Sequence, residues 1–328
     1  MKKSAYGSDA QRLFTIVTAA LTGFVLSLPS HALVIHPTFT GLSAAVQTEI
    51  NSAIQFYEQT FSDPITVEIE FHDMADGLGR SDGHFYFWSY DNYRNALIAD
   101  ATSPSDTLAV ATLPAGATDP ILGKPFISLR SATGRAIGLP TPGLDTVIPG
   151  ICNFTGDGCI GINVAETTVA GGSYSLFSIA QHEIDEVLGL GSSLLNTGVV
   201  WQGFVSPADL YRYQGPGVRS FSFDCFDPAY FSIDGGQTNL SNYHNCLDGG
   251  DYGDWVTHTP GQVQDAYATL GEAPFLTKDD LAVGELDVVG YTFAKPATPA
   301  SAPGNVLLLA TALLGMVAFR RRSLPRAA

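Results

Sequence analysis

Apolar residues recur at helical spacing from residue 42 to 61, where Leu42, Ala45, Val46, Ile50, Ile54 and Tyr57 fall on one face. The stretch is predicted to be a long amphipathic helix. Ile65, Val67, Ile69 and Phe71 then alternate with Thr66, Glu68 and Glu70, the period of a half-buried strand. Residues 90–101 return to a helical pattern, with Ser103-Pro104-Ser105 read as its stop, and the apolar runs at 108–113, 125–129 and 160–164 read as short strands. Gly77, Gly79 and Gly83 are spaced for a turn, with no helix after them to make a phosphate cradle. Tyr174, Leu176, Phe177, Ile179 and Ala180 open a second apolar helix that runs on through Ile184, Val187, Leu188 and Leu190. Gly171 and Gly172 stand before this helix, and Gly189 and Gly191 end it. Residues 200–260, rich in Gly, Pro, Asp and aromatics without periodicity, read as loops and short strands, and 279–289 as a closing helix ended by Gly290. The pattern predicts an α+β domain with a mixed sheet, a long N-terminal helix, a central helix and a loop-rich C-terminal half.

The central helix interrupts its apolar run with His182, Glu183, Asp185 and Glu186. His182 and Glu186 are four apart, so on a helix they share a face and reach one metal ion. Glu183 stands where a general base for a metal-activated water is needed. Charges set in so apolar a helix suit a buried active site better than a solvated face.

The stretch resembles the zinc-binding helix of the metzincin metallopeptidases, whose pattern is H-E-x-x-H-x-x-G-x-x-H. His182, Glu183 and Gly189 match it, while Glu186 replaces the second histidine and Ser192 the third. The resemblance implies a zincin-like fold, a zinc ion on His182 and Glu186, Glu183 as catalytic base, and a peptide or protein substrate. In organisation it covers roughly residues 40–200, with the motif its specific part. Carboxylate is an acceptable zinc ligand, though it lowers the net charge of the site and with it the polarisation of a bound water. Serine is a poor one, so the third ligand comes from elsewhere, with Asp209, His244, Asp251 and His258 as candidates that spacing does not separate. Residues 207–213 fall where metzincins carry a methionine-containing turn. There Leu210 would replace the methionine and Tyr211 would approach the metal, against the plainer reading of an aromatic turn packed on the core.

Both ends of the chain point to export. Lys2, Lys3 and Arg12 precede an uncharged apolar run at 13–28, and Ser30 and Ala32 form a small-x-small site, so residues 1–32 read as a signal peptide cleaved after Ala32. Residues 33–294 are the expected domain, and 295–304 a proline-rich linker. Beyond it lies an apolar run at 306–319, short for a span, followed by Arg320, Arg321 and Arg322. This arrangement resembles the PEP-CTERM sorting tail of Gram-negative bacteria, with Ser301-Ala302-Pro303 where that family has Pro-Glu-Pro. The resemblance implies a membrane contact through residues 305–328, a sorting and processing machinery as partner, and a cell-surface or extracellular destination, reached through a transient inner-membrane anchor.

Charge narrows the partners further. The chain carries 16 Lys and Arg against 32 Asp and Glu, a formal net charge of −16, and seven of the cations lie in the leader and tail. Nucleic acid would be repelled and is excluded as a partner. Such acidity suits an extracellular protein and leaves calcium as a second possible cofactor. The loop Asp248-Gly-Gly-Asp-Tyr-Gly-Asp254 offers three carboxylates, but its composition reads first as a turn. The four cysteines, Cys152, Cys159, Cys225 and Cys246, read as two disulfides in an oxidising compartment. Of three possible pairings, local closure favours Cys152–Cys159 and Cys225–Cys246. The expected function is metal-dependent peptide hydrolysis. The alternatives are a catalytically inactive zincin-fold surface or matrix protein and a calcium-stabilised adhesin.

Overall fold

A computed structural model of the protein describes residues 32–148, 154–168 and 174–295. The expected signal peptide, apart from Ala32, lies outside the described residues, as do Gly171, Gly172, Cys152 and the tail beyond 295. Among the described residues no helix is long and apolar enough to cross a membrane.

The chain enters through strand β1 (Val34–Thr40) and turns into helix α1 (Ala44–Thr60), capped by Ser43, whose hydroxyl accepts from the Val46 N–H. Val46, Ile50, Ala53, Ile54 and Tyr57 lie on its buried face, while Ala45, expected there too, is exposed at the edge of the stripe. Strand β2 (Thr66–Asp73) follows and runs parallel to β1, its Val67, Ile69 and Phe71 buried. Strand β3 (Gly79–Gly83) comes next, where the glycine spacing predicted a turn. It is an edge strand: β3 lies antiparallel to β8 (Gly158–Ile162), which itself runs parallel to β2. The sheet is therefore mixed, in the order β1-β2-β8-β3. Between β3 and β8 the chain makes the antiparallel pair β4 (Phe85–Ser89) and β5 (Phe126–Arg130), helices α2 (Tyr90–Asp100), α3 (Pro104–Ala111) and α4 (Ser131–Ala136), and the short pair β6 (Leu144–Ile148) and β7 (Phe154–Gly156).

Two expectations are corrected here. Ser103-Pro104 is a start as well as a stop, and residues 108–111 are helix where a strand was expected. The Ser103 hydroxyl accepts from the Asp106 N–H, the Asp106 carboxylate accepts from the Ser103 N–H, and Pro104 sits in the first turn, where its missing N–H costs nothing. The strand expected at 160–164 begins two residues earlier and ends at Ile162, because the Asn163 side chain turns away to the carbonyls of Ala75 and Gly77.

Helix α5 (Leu176–Leu188) lies under the sheet, against α1, β3 and β8. Gly189 ends it at φ 132°, a conformation that favours glycine, and the last carbonyl, that of Leu188, accepts from both Thr133 and Tyr291 hydroxyls. The C-terminal half is rich in loops, as expected. Its regular part is a small antiparallel sheet of Arg212–Gly215, Val218–Arg219, Tyr230–Phe231 and Ser241–Asn242. The buried Arg212 guanidinium donates to the Tyr252 carbonyl and to the Asn245 side chain and stacks over the Tyr243 ring, fixing the loop that follows. Cys225 and Cys246 form a disulfide, as predicted. Cys159 is buried and carries no free thiol. Helix α6 (Leu281–Val289) closes the domain and ends at Gly290, also as predicted.

Candidate metal centre

Helix α5 brings His182, Glu183 and Glu186 to one face under the edge strand β3, at the floor of a cleft of about 730 Å³. Asp254 arrives from the loop of the C-terminal half. One donor atom each from His182, Glu186 and Asp254 lie within 4.8 Å of one another. Side-chain rotations bring such a spacing within coordination of a single ion.

Each of the three is oriented by a second contact. His182 Nδ1 lies 2.8 Å from the Val263 carbonyl, which has only lone pairs, so Nδ1 carries the proton and donates it. That leaves Nε2 pointing into the cluster, 3.6 Å from Asp254 Oδ2. Glu186 Oε2 accepts from the Ser81 hydroxyl of β3 at 2.6 Å, which leaves Oε1 open. Asp254 Oδ1 accepts from Gln264 Nε2 at 3.1 Å, which leaves Oδ2 open. Outer partners of this kind set the tautomer and aim of metal ligands. Glu183 is buried, as Asp254 is, but differs from the other three in that its Oε2 has no hydrogen-bond partner. Its Oε1 lies where β3 passes closest, and a Cβ on Gly79 would stand 2.3 Å from it. The glycine therefore lets the strand close over the acid.

The electrostatics of the cluster favour a cation. Burial alone would lower the pKa of His182, but Asp254, Glu183 and Glu186 outweigh it and hold it up to about 10. Burial, followed by repulsion from Glu186, pushes the Glu183 carboxyl well above the usual carboxylate range. Asp254 is pushed up by burial as well, with Glu186 and Asp251 adding to the shift and His182 opposing it. One imidazolium does not offset these buried carboxylates, whereas a divalent ion would. One nitrogen and two oxygen donors fit zinc and also harder divalent metals.

The four residues considered for the third position all have other roles. Asp209 accepts from Ser192, Ser193 and Ser206, so the serine that stands in the third histidine's place is held by an aspartate. His244 pairs with Asp248 at 2.7 Å and His258 with Asp265 at 2.6 Å. Asp251 lines the cleft but accepts from Asn196 at 2.8 Å. Leu210 and Tyr211 are buried in the core, outside the cleft lining, in keeping with the packed-turn reading of 207–213. The three carboxylates of the 248–254 loop do not gather on one point: Asp248 takes His244, Asp251 takes Asn196, and Asp254 takes the site.

Asp254 had been read as part of a turn. No motif spacing joins it to α5. Its backbone is held by His244 N–H to its carbonyl at 2.8 Å, and its neighbour Gly253 passes so close to the helix exit that a Cβ there would stand 2.5 Å from Gly191 Cα. Compared with protein-family models, curated proteins and solved structures, the chain matches none.

Proposed function

We propose that the protein is an exported metal-dependent peptidase, with a divalent ion, zinc first, held by His182, Glu186 and Asp254, and with Glu183 as the catalytic base. The observation that carries this reading is the convergence of three oriented donors beside a buried acid with an unpartnered oxygen, at the floor of an open cleft. A bound divalent ion supplies Lewis acidity and a lowered water pKa. Glu183, buried beside the donors with one oxygen free of partners, takes a proton from water and returns it to the leaving amine. The cleft, about 730 Å³, has room for a peptide segment, and the leader and tail of the sequence support delivery to the cell surface.

The test is elemental analysis of the purified full chain beside its His182→Ala, Asp254→Ala and Glu183→Gln variants. The expected result is about one zinc per chain in the parent and in Glu183→Gln, little in the two ligand variants, and peptide hydrolysis in the parent alone. Absence of stoichiometric metal from every form would overturn the reading in favour of an inactive surface or matrix protein.

A further inference from the structure

Six arginines fall among the described residues, and four of them hold the fold together. Arg94 donates to the Leu113 carbonyl, Arg135 to Asp157 and the Thr141 carbonyl, Arg212 to Tyr252 and Asn245, and Arg219 to the carbonyls of Leu210 and Thr112. The other two, Arg80 and Arg130, both line the cleft. Neither guanidinium makes a hydrogen bond or ion pair among the described residues, and Arg130 Nη1 is buried without a partner.

Arg130 is set in place with some care. It stands at the end of β5 with its guanidinium 4.2 Å over the Phe85 ring, a stacking that fixes its plane. Strand β3 has a glycine here as well: a Cβ on Gly83 would stand 2.4 Å from Arg130 Nη1. Along β3, then, Gly79 passes over Glu183, Ser81 holds Glu186, and Gly83 passes over Arg130. The two glycines are four residue steps apart, roughly 13 Å along the strand. Glu186 and Asp82 act on Arg130 only through space, against its burial, and neither fills its fork. A desolvated guanidinium without a hydrogen-bonded partner is costly, and a planar fork pairs best with a carboxylate.

We propose that Arg130, with Arg80 beside it in the cleft, reads a carboxylate on the bound chain, either an acidic side chain or a free C-terminus. This specifies acidic peptides, at a position removed from the scissile bond, and it rests on the peptidase reading for its substrate class. The strongly negative chain does not favour such substrates at long range, so the preference is local to the guanidiniums.

The test uses the full chain and blocked peptides (acetylated and amidated) that carry Glu, Gln or Lys at each position in turn. A second Gln series has a free C-terminus. Hydrolysis is followed with the parent, and binding by fluorescence anisotropy with Glu183→Gln. Glu should exceed Gln at one position by at least tenfold, with Lys weakest. Arg130→Gln should abolish that preference, Arg130→Lys should reduce it, and Arg80→Gln should reduce it less. If the free C-terminus is the ligand, the unblocked Gln series replaces the Glu series in this pattern. An Arg130→Gln or Arg130→Lys chain that melts like the parent and keeps the full preference would sink the proposal, as would a parent that prefers Lys. Arg130-dependent binding of acidic peptides without hydrolysis would uphold the subsite while overturning the peptidase reading.

Discussion

Two sets of buried carboxylates in this molecule are built on opposite plans. Asp157 has both oxygens occupied: Oδ1 accepts from the Ser131 hydroxyl, and Oδ2 from Arg135 at 2.8 Å and the Glu68 N–H at 2.9 Å. Asp209 gathers the Ser192 hydroxyl, the Ser193 N–H and both the N–H and hydroxyl of Ser206. In the cleft, Glu183 has an oxygen without a partner, and Glu186 and Asp254 each have one oxygen held and the other open to the cluster. Buried acids whose lone pairs are filled hold backbone together. Acids crowded without partners cost stability and are kept for what they bind.

The contrast can be broken by substitution, and the largest expected effect is chemical. Glu183→Gln should lower peptide turnover by ~10²- to 10⁴-fold, the range for loss of a general base. Urea unfolding of the metal-free chain should show it at least as stable as the parent, because a repelled charge has gone. A clear loss of stability would mean that Glu183 belongs with Asp157. Asp157→Ala should cost about 3 kcal/mol in the same unfolding measurement, since it takes the counter-charge from Arg135 and leaves the Ser131 hydroxyl and Glu68 N–H without their acceptor. Asp254→Asn should lower zinc affinity by tenfold or more in a competition titration, yet raise the melting temperature of the metal-free protein. A lowered melting temperature would refute the account of the cluster as mutually repelling.

The smallest signal is a slope with pH. Burial, against an opposing hydrogen bond from Tyr243, raises the Glu285 carboxyl to about 8. The unfolded chain gives up this proton near the ordinary glutamate value, while the folded chain keeps it up to about pH 8. Glu285 therefore makes the protein less stable as pH rises through that window. Glu285→Gln should flatten the fall in unfolding free energy between pH 5 and pH 8. An unchanged slope would assign the titration to other groups.

Local chemistry was legible in the sequence wherever it determined structure by itself. The apolar stripe of α1, the alternation in β2, and the glycines after α5 and α6 each predicted their elements, because the face that is buried is written at a fixed period. The capping box at Ser103–Asp106 was equally local, but its proline reads as a break until the aspartate is seen to answer the serine. Strand β3 could not be read, since Gly79 and Gly83 earn their places only against Glu183 and Arg130, which lie far along the chain. The same holds for the site. His182, Glu183 and Glu186 share one helix and one spacing, whereas Asp254 is brought in by backbone contacts of Gly253 with Gly191, and Arg130 by a stack on Phe85.

That meeting of Gly253 with Gly191 also sets a time order. A nascent chain emerging N-terminus first presents the helix with two of its donors some seventy residues before the third exists. Until the 250s loop has been made and docked, the helix face has no closed set of donors. If the metal-centre proposal holds, the site stays incomplete until that loop has docked.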